Sequence, residues 1–274
     1  MSNLDQIKFF ILDMDGTIYL ENDILKGSLD FLKKVRESGR DYIFLTNNSS
    51  KNRADYQKKL AKMNIKADPE QIINSGEITA AYLSDQGEKK GKEIYLLGTD
   101  SLKAEMERFG HNIVNEKENI REHPEKVDYV VLGFDKSLNY QKLWDAHDLI
   151  LAGVNYVATH PDLVCPLSGG KTQPDCGAMI ELLAASTGKR PLIVGKPSHL
   201  TVDYILDRFN LKRSELAMVG DRLYTDMRMA HDAEITGVLV LSGETKREDI
   251  DNLNPEEKYF DYVFESTAEM LELL

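Results

Sequence analysis

FILDMDGTIYL, residues 10–20, is an apolar run that ends on two aspartates one residue apart, then a glycine and a threonine. Residues two apart on a strand point the same way, so a strand ending here presents Asp13 and Asp15 together at its carboxyl end, where open α/β sheets bind ligands. Two like charges in one place raise each other's pKa unless a cation intervenes. Sites of one or two carboxylates, completed by water and a substrate phosphate, suit Mg²⁺. Gly16 leaves room for a backbone N–H to approach an anion closely, and Thr17 adds a hydroxyl. The same residue types also suit a plain strand-end turn that caps a helix.

Similar short runs recur along the chain: IKFFIL (7–12), DYIFLT (41–46), QIINS (71–75), EIYLLG (93–98), DYVVLGF (128–134), NYVAT (155–159), PLIVG (191–195), LAMVG (216–220) and GVLVL (237–241). Each is nearly continuously apolar and bounded by turn residues, as expected of a parallel strand buried on both faces. Between them, SLDFLKKVRESG (28–39) and TVDYILDRFN (201–210) place apolar residues at three- and four-residue steps, the pattern of an amphipathic helix. The alternation predicts an α/β fold with helices covering a parallel sheet.

A chain of 274 residues suggests two domains, each with its own core. The charged, glycine-containing stretches SDQGEKKGKE (84–93) and STGKRP (186–191) are the best candidate hinges. If both are hinges, residues 84–188 form an inserted domain, and 1–83 and 189–274 fold together. The net charge of −12 opposes a nucleic-acid partner, since phosphate backbones are bound by clustered Lys and Arg. No apolar stretch approaches the ~18 to 20 residues that span a bilayer, and MSNLDQIKFF lacks a basic leader and cleavage site, so the chain reads as cytoplasmic. Cys165 and Cys176 lack metal or disulfide-framework spacing and read as isolated thiols. SGGKT (168–172) invites a phosphate-loop reading, but Cys165 stands where that motif needs glycine.

Three more strand ends carry chemistry. IFLTNNSS ends on Thr46, Asn47 and Asn48, with a hydroxyl, amides and exposed backbone donors, although Asn and Ser also suit a helix N-cap. LIVGKPS ends on Gly195 and Lys196, and LAMVGDRLYTDM on Asp221 with Asp226 five residues on. All four ends are expected to meet at one edge of one sheet. A carboxylate attacking a phosphate dianion gathers about three negative charges, and each unit pair at ~4 Å costs about 4 kcal/mol at an effective dielectric near 20. A bound Mg²⁺ and Lys196 would offset that repulsion, and one aspartate could attack while a second handles protons.

With DMDGT, LTNN, GKP and GDRLYTD in this order between residues 13 and 226, the sequence resembles the haloacid dehalogenase-like hydrolases. The resemblance implies a Rossmann-like three-layer core and a Mg²⁺-dependent phosphatase acting on small phosphorylated metabolites. It implies Asp13 as nucleophile and Asp15 as acid/base. Mg²⁺ would be held by Asp13, the Asp15 carbonyl and Asp221, and phosphate by Gly16, Thr46, Asn47, Asn48 and Lys196. Asp226 would orient Lys196 or a metal-bound water. The segment carrying EIYLLGTD, VLGFD and YVATHPD is similar to the α/β cap of the NagD-like branch, in which the loop after this last strand sets specificity. His160, Asp162 and Cys165 are therefore candidate substrate contacts. The pyridoxal-phosphate enzymes of that branch carry a histidine where this chain has Cys165, which argues against pyridoxal phosphate as the main substrate. A homodimer is a family-level expectation. A phosphomutase or dehalogenase on the same scaffold, and a phosphoryl-accepting domain without turnover, are the rival readings. Dehalogenases generally lack the second aspartate, and a receiver domain lacks a cap.

Overall fold

The computed structural model describes residues 3–89, 91–167 and 170–274. Lys90 of the first candidate hinge, and Ser168 and Gly169 of the SGGKT stretch, lie outside the described residues. In chain order the strands are β1 (Phe9–Asp13), β2 (Tyr19–Leu20), β3 (Asp23–Ile24), β4 (Asp41–Thr46), β5 (Ile72–Asn74), β6 (Glu93–Leu97), β7 (Asn112–Ile113), β8 (Tyr129–Leu132), β9 (Asn155–Ala158), β10 (Val164–Leu167), β11 (Lys171–Pro174), β12 (Leu192–Ile193), β13 (Leu216–Gly220), β14 (Thr236–Val240) and β15 (Tyr262–Phe264).

The chain divides into two compact units. The first comprises Met1–Thr46, Arg53–Ile73 and Pro197–Leu274. Its sheet has the order β15-β14-β13-β1-β4-β5. β1 is flanked in parallel by β4 and β13, with Asp13 opposite Leu45 and Phe10 opposite Ala217. All five residues of β1 are buried, which is why its sequence is continuously apolar up to the terminal aspartate. The helix Ser28–Glu37 buries Phe31, Leu32 and Val35, and Phe31 meets Phe10 edge-on at 6.0 Å. Full burial of such a side chain contributes about 1.5–3 kcal/mol, so these contacts anchor the strand that carries Asp13. Parallel pairing puts the carboxyl ends of β1, β4 and β13 at one edge, with Asp13, Thr46 and Asp221 at or just beyond them.

The second unit comprises Asn47–Asn52 and Asn74–Lys196. Its parallel sheet has the order β12-β9-β8-β6-β7, with a core of Tyr95, Leu97, Val130, Leu132, Leu149, Ile150 and Leu183, and a separate antiparallel hairpin β10-β11. This division runs at 73/74 and 196/197, and the expected boundaries at 84 and 188 fall inside the unit. The physical reason lies in packing. On the helix Ser75–Ser84, the Ala80 carbonyl lies 2.8 Å from His111 Nε2 and Glu77 pairs with Arg108 at 3.3 Å, while β12 pairs with β9.

All nine expected strands are present. The strands that sequence patterning missed are β2, β3, β7, β10, β11 and β15, which are two to four residues long and mostly exposed or half-buried. One expectation is corrected: Lys196 follows β12, a strand of the five-stranded sheet, so it does not share a sheet edge with the other three strand ends. PLIVG reads as one more buried parallel strand, and nothing in its composition tells which sheet it joins.

Candidate active site

Three carboxylates of the first unit converge. Asp13, Asp221 and Asp226 are all buried, and each offers an oxygen within 4.8 Å of those of the other two. Asp13 closes β1, Asp221 directly follows β13, and Asp226 sits in a turn of π-helix, Leu223–Met227, a local form often found at functional sites. Asp221 is fixed by the Glu244 N–H, which donates to its Oδ2 at 2.6 Å, and Asp226 Oδ2 accepts from the Arg222 N–H at 3.2 Å.

Two glycines make this arrangement sterically feasible. Gly16 has φ +91°, and a Cβ there would lie 2.4 Å from Asp221 Oδ2; a Cβ on Gly243 would lie 1.9 Å from the same oxygen. The donor set is hard, anionic oxygen in a pocket that side-chain carbon would fill, and it fits Mg²⁺.

Asp15 is placed differently. Its carboxylate is half-exposed, accepts from the Glu21 N–H at 3.4 Å and lies 3.7 Å from Lys59 Nζ. The Asp15 carboxylate is thus not one of the three, and any part Asp15 plays in holding a cation falls to its main chain. Lys59 also sits 4.0 Å above the ring of Tyr19. Burial, followed by the charges around it including Asp15 and Asp13, raises the Tyr19 phenol well above its ordinary pKa.

Arg222 and Glu244 were not singled out from the sequence. Arg222 Nε meets Glu244 Oε2 at 3.0 Å, and the Tyr224 hydroxyl donates to Glu244 Oε1 at 2.9 Å. Burial disfavours the charged guanidinium, but Asp13, Tyr224, Glu244 and Asp221 outweigh it and raise the Arg222 pKa. The signal for Arg222 was present between the two aspartates of GDRLYTD. Gly243 and Glu244 lie in a turn region with no periodicity to mark them.

In the second unit, Asn47, Asp162 and Lys196 are brought together. The Asn47 amide donates to both Asp162 oxygens at 3.2 and 3.3 Å and to the Lys196 carbonyl at 2.9 Å. Gly195 is needed beside them, since a Cβ there would lie 2.3 Å from the Thr159 carbonyl and 2.9 Å from Asn47 Oδ1. Lys196 is buried. Asn48 serves a local turn, accepting from the Ser50 N–H and hydroxyl at 2.9 and 2.7 Å. His160 is fully buried: Nε2 lies 3.0 Å from Asp175 Oδ1 and Nδ1 2.8 Å from the Thr159 hydroxyl. Both ring nitrogens of this candidate substrate contact are thus engaged inside the protein. Asp162 and Cys165 are half-buried, whereas burial pushes the Cys176 thiol well above the ordinary range.

Sequence comparison agrees with this geometry. A profile of the haloacid dehalogenase-like hydrolases matches residues 10–112, and a second profile of HAD-like hydrolases matches 193–270. An acid sugar phosphatase from Staphylococcus aureus is 32% identical over 97% of this chain and 99% of its own length. The crystal structure of a 4-nitrophenylphosphatase from Thermotoga maritima superposes with a TM-score of 0.91 at 42% identity, covering 99% of each chain. A glycerol phosphate phosphatase from Mycobacterium tuberculosis, solved in complex with magnesium, superposes with a TM-score of 0.87 at 26% identity, covering 99% of this chain and 78% of its own. The chain belongs to the haloacid dehalogenase-like hydrolases, within the branch of NagD and the p-nitrophenylphosphatases.

Proposed function

We propose that this protein is a Mg²⁺-dependent phosphatase of small phosphomonoesters that works through an aspartyl-phosphate on Asp13. The observation that carries the reading is the buried convergence of Asp13, Asp221 and Asp226 beside Gly16. Asp13 and Asp221, with the Asp15 carbonyl, would hold Mg²⁺, and Asp226 would orient Lys196 or a metal-bound water. The cation supplies charge neutralisation where carboxylate and phosphate meet.

In the chemical steps, an Asp13 oxygen attacks phosphorus and the ester oxygen departs, taking a proton from Asp15. A water that gives its proton back to Asp15 then attacks the same phosphorus, releasing inorganic phosphate and restoring the Asp13 carboxylate. Gly16, Thr46, Asn47, Asn48 and Lys196 would bind the phosphoryl oxygens, Lys196 as a point charge. The inserted segment 84–188 would choose among leaving groups, with Asp162 and Cys165 the better-placed contacts given the burial of His160. Sugar phosphates, p-nitrophenyl phosphate and similar monoesters are the substrate class favoured by the relatives.

Phosphate release from such monoesters with added Mg²⁺ tests the reading. Asp13→Asn is expected to lose about 10³-fold or more, since a carboxamide cannot form the acyl phosphate. Hydrolysis unchanged in Asp13→Asn would remove the nucleophile assignment.

A further inference from the structure

A buried pair in the second unit, His160 with Asp175, has no part in the chemistry above. A carboxylate only accepts, so the 3.0 Å bond runs from His160 Nε2 to Asp175 Oδ1. The same oxygen accepts from the Cys176 N–H at 2.6 Å, and Asp175 is the N-cap of the helix Cys176–Thr187. Capping explains the second bond and leaves the first unexplained. The pair spans the two feet of the hairpin β10-β11, since His160 lies ahead of Val164 and Asp175 directly follows Pro174. The feet are joined twice more: the Asp175 N–H donates to the Leu163 carbonyl at 3.0 Å, and the Gly177 N–H to the Asp162 carbonyl at 2.8 Å. Gly177 lets them meet, because a Cβ there would lie 2.1 Å from the Pro161 carbonyl oxygen. Leu163, Val164 and Leu167 are exposed, so burial does little to hold the hairpin and its base carries the placement. Asp162 is thus fixed through its main chain by that base, while its carboxylate meets the Asn47 amide at 3.2 and 3.3 Å.

We infer that His160 and Asp175 are a positioning pair for substrate selection, fixing Asp162 as the acceptor for a hydroxylated leaving group, so that the favoured substrates are phosphomonoesters of sugars and polyols. The inference rests on the reading of Asp162 as a substrate contact. A carboxylate accepts hydrogen bonds and repels like charge, so it favours a leaving group rich in donors over one that is apolar or anionic. Sugar and polyol hydroxyls supply such donors, and p-nitrophenolate has none. Asp162 touches the substrate; His160 and Asp175 act through it by closing the base of the hairpin.

Steady-state kinetics with added Mg²⁺ on glycerol phosphate, glucose 6-phosphate and p-nitrophenyl phosphate tests this. Asp175→Ser keeps a capping hydroxyl but is too short to reach the His160 ring. It is expected to raise KM about tenfold for the two hydroxylated substrates, with kcat and the constants for p-nitrophenyl phosphate close to wild type. Asp175→Asn, which returns an accepting oxygen to the same place, is expected to restore the wild-type KM. In an Asp162→Ala background the effect of Asp175→Ser is expected to vanish, because positioning has no effect once the positioned group is gone. Equal losses on all three substrates, losses that persist without Asp162, or no restoration in Asp175→Asn each mark a general structural role and overturn the positioning. Should Asp175→Ser fail to fold, His160→Asn, also too short to span the pair, decides on the same comparison, and an unaltered KM overturns the inference. If Asp162→Ala leaves KM for the hydroxylated substrates unchanged, the substrate role of Asp162 is overturned and this inference with it, while the phosphatase reading stands. A wild type that hydrolyses p-nitrophenyl phosphate but neither hydroxylated substrate overturns the preference.

Discussion

Asp15 and His111 show what single side chains are expected to do. If Asp15 protonates the leaving alcohol, Asp15→Asn should lower kcat/KM by about 100-fold on an alkyl phosphate and far less on p-nitrophenyl phosphate, whose leaving group needs no proton. Steady-state kinetics on both substrates measures this, and equal losses would remove the role. His111 sits in the second unit, where its Nδ1 accepts from the Lys92 N–H at 3.2 Å and its Nε2 lies 2.8 Å from the Ala80 carbonyl. Burial is the main cause of its lowered pKa; the Ala80 carbonyl opposes the shift, and the charge of Lys92 adds to it. The unfolded chain therefore binds this proton more readily than the folded one. The contribution of His111 is full above about pH 6.5 and fades as pH falls through the lower folded value. Thermal melts between pH 5 and 7 should show a steeper loss of Tm for the wild type than for His111→Gln, and parallel curves would contradict it. At this scale Asp13, Asp221 and Lys196 were legible because each is a charged residue ending an apolar run. The burial of His160 was not legible, since YVATHPD does not reveal that Asp175, thirteen residues beyond its last letter, closes over the ring.

Strands and the turns that follow them were the most readable elements, because a parallel strand covered on both faces must be apolar throughout. DYIFLT and LAMVG match their strands residue for residue. The turns carry demands that composition only hints at. Gly16 and Gly39 both have positive φ, yet only Gly16 has a carboxylate where a Cβ would go. Gly39→Ala should cost about 1–3 kcal/mol from backbone strain alone. Gly16→Ala adds a clash with Asp221, so its Tm should fall further and its phosphatase activity should be lost, whereas Gly39→Ala keeps activity. Chemical denaturation and phosphate release on the pair measure this; comparable activity in both would show that the Gly16 space is not needed. The hairpin β10-β11 was invisible for the opposite reason, since VCPL and KTQP each contain proline and are mostly exposed, leaving neither alternation nor a buried run.

Over the whole molecule, the two cores were anticipated from length, but their membership was not, because a helix such as Ser75–Ser84 carries no mark of which core it joins. The acidic cluster belongs wholly to the first unit, and ligand binding stabilises the parts of a protein that it ties together. Hydrogen exchange with and without Mg²⁺ should slow at the ends of β1 and β13 and at the Glu244 amide, and change little in β6, β8 and β9. Uniform slowing of both units would contradict a cation site confined to the first. The six residues Asn47–Asn52 have a further consequence, for heredity and engineering. Ser49 Oγ accepts from the Phe134 N–H at 3.0 Å and from the Thr159 hydroxyl at 3.1 Å, and a Cβ on Gly133 would approach it to 2.8 Å. The second unit, exchanged between relatives as one continuous cassette, would leave this hexapeptide behind. Two cuts of the gene, one of them only eighteen bases long, must travel together for the transplant to keep its own hydrogen bonds.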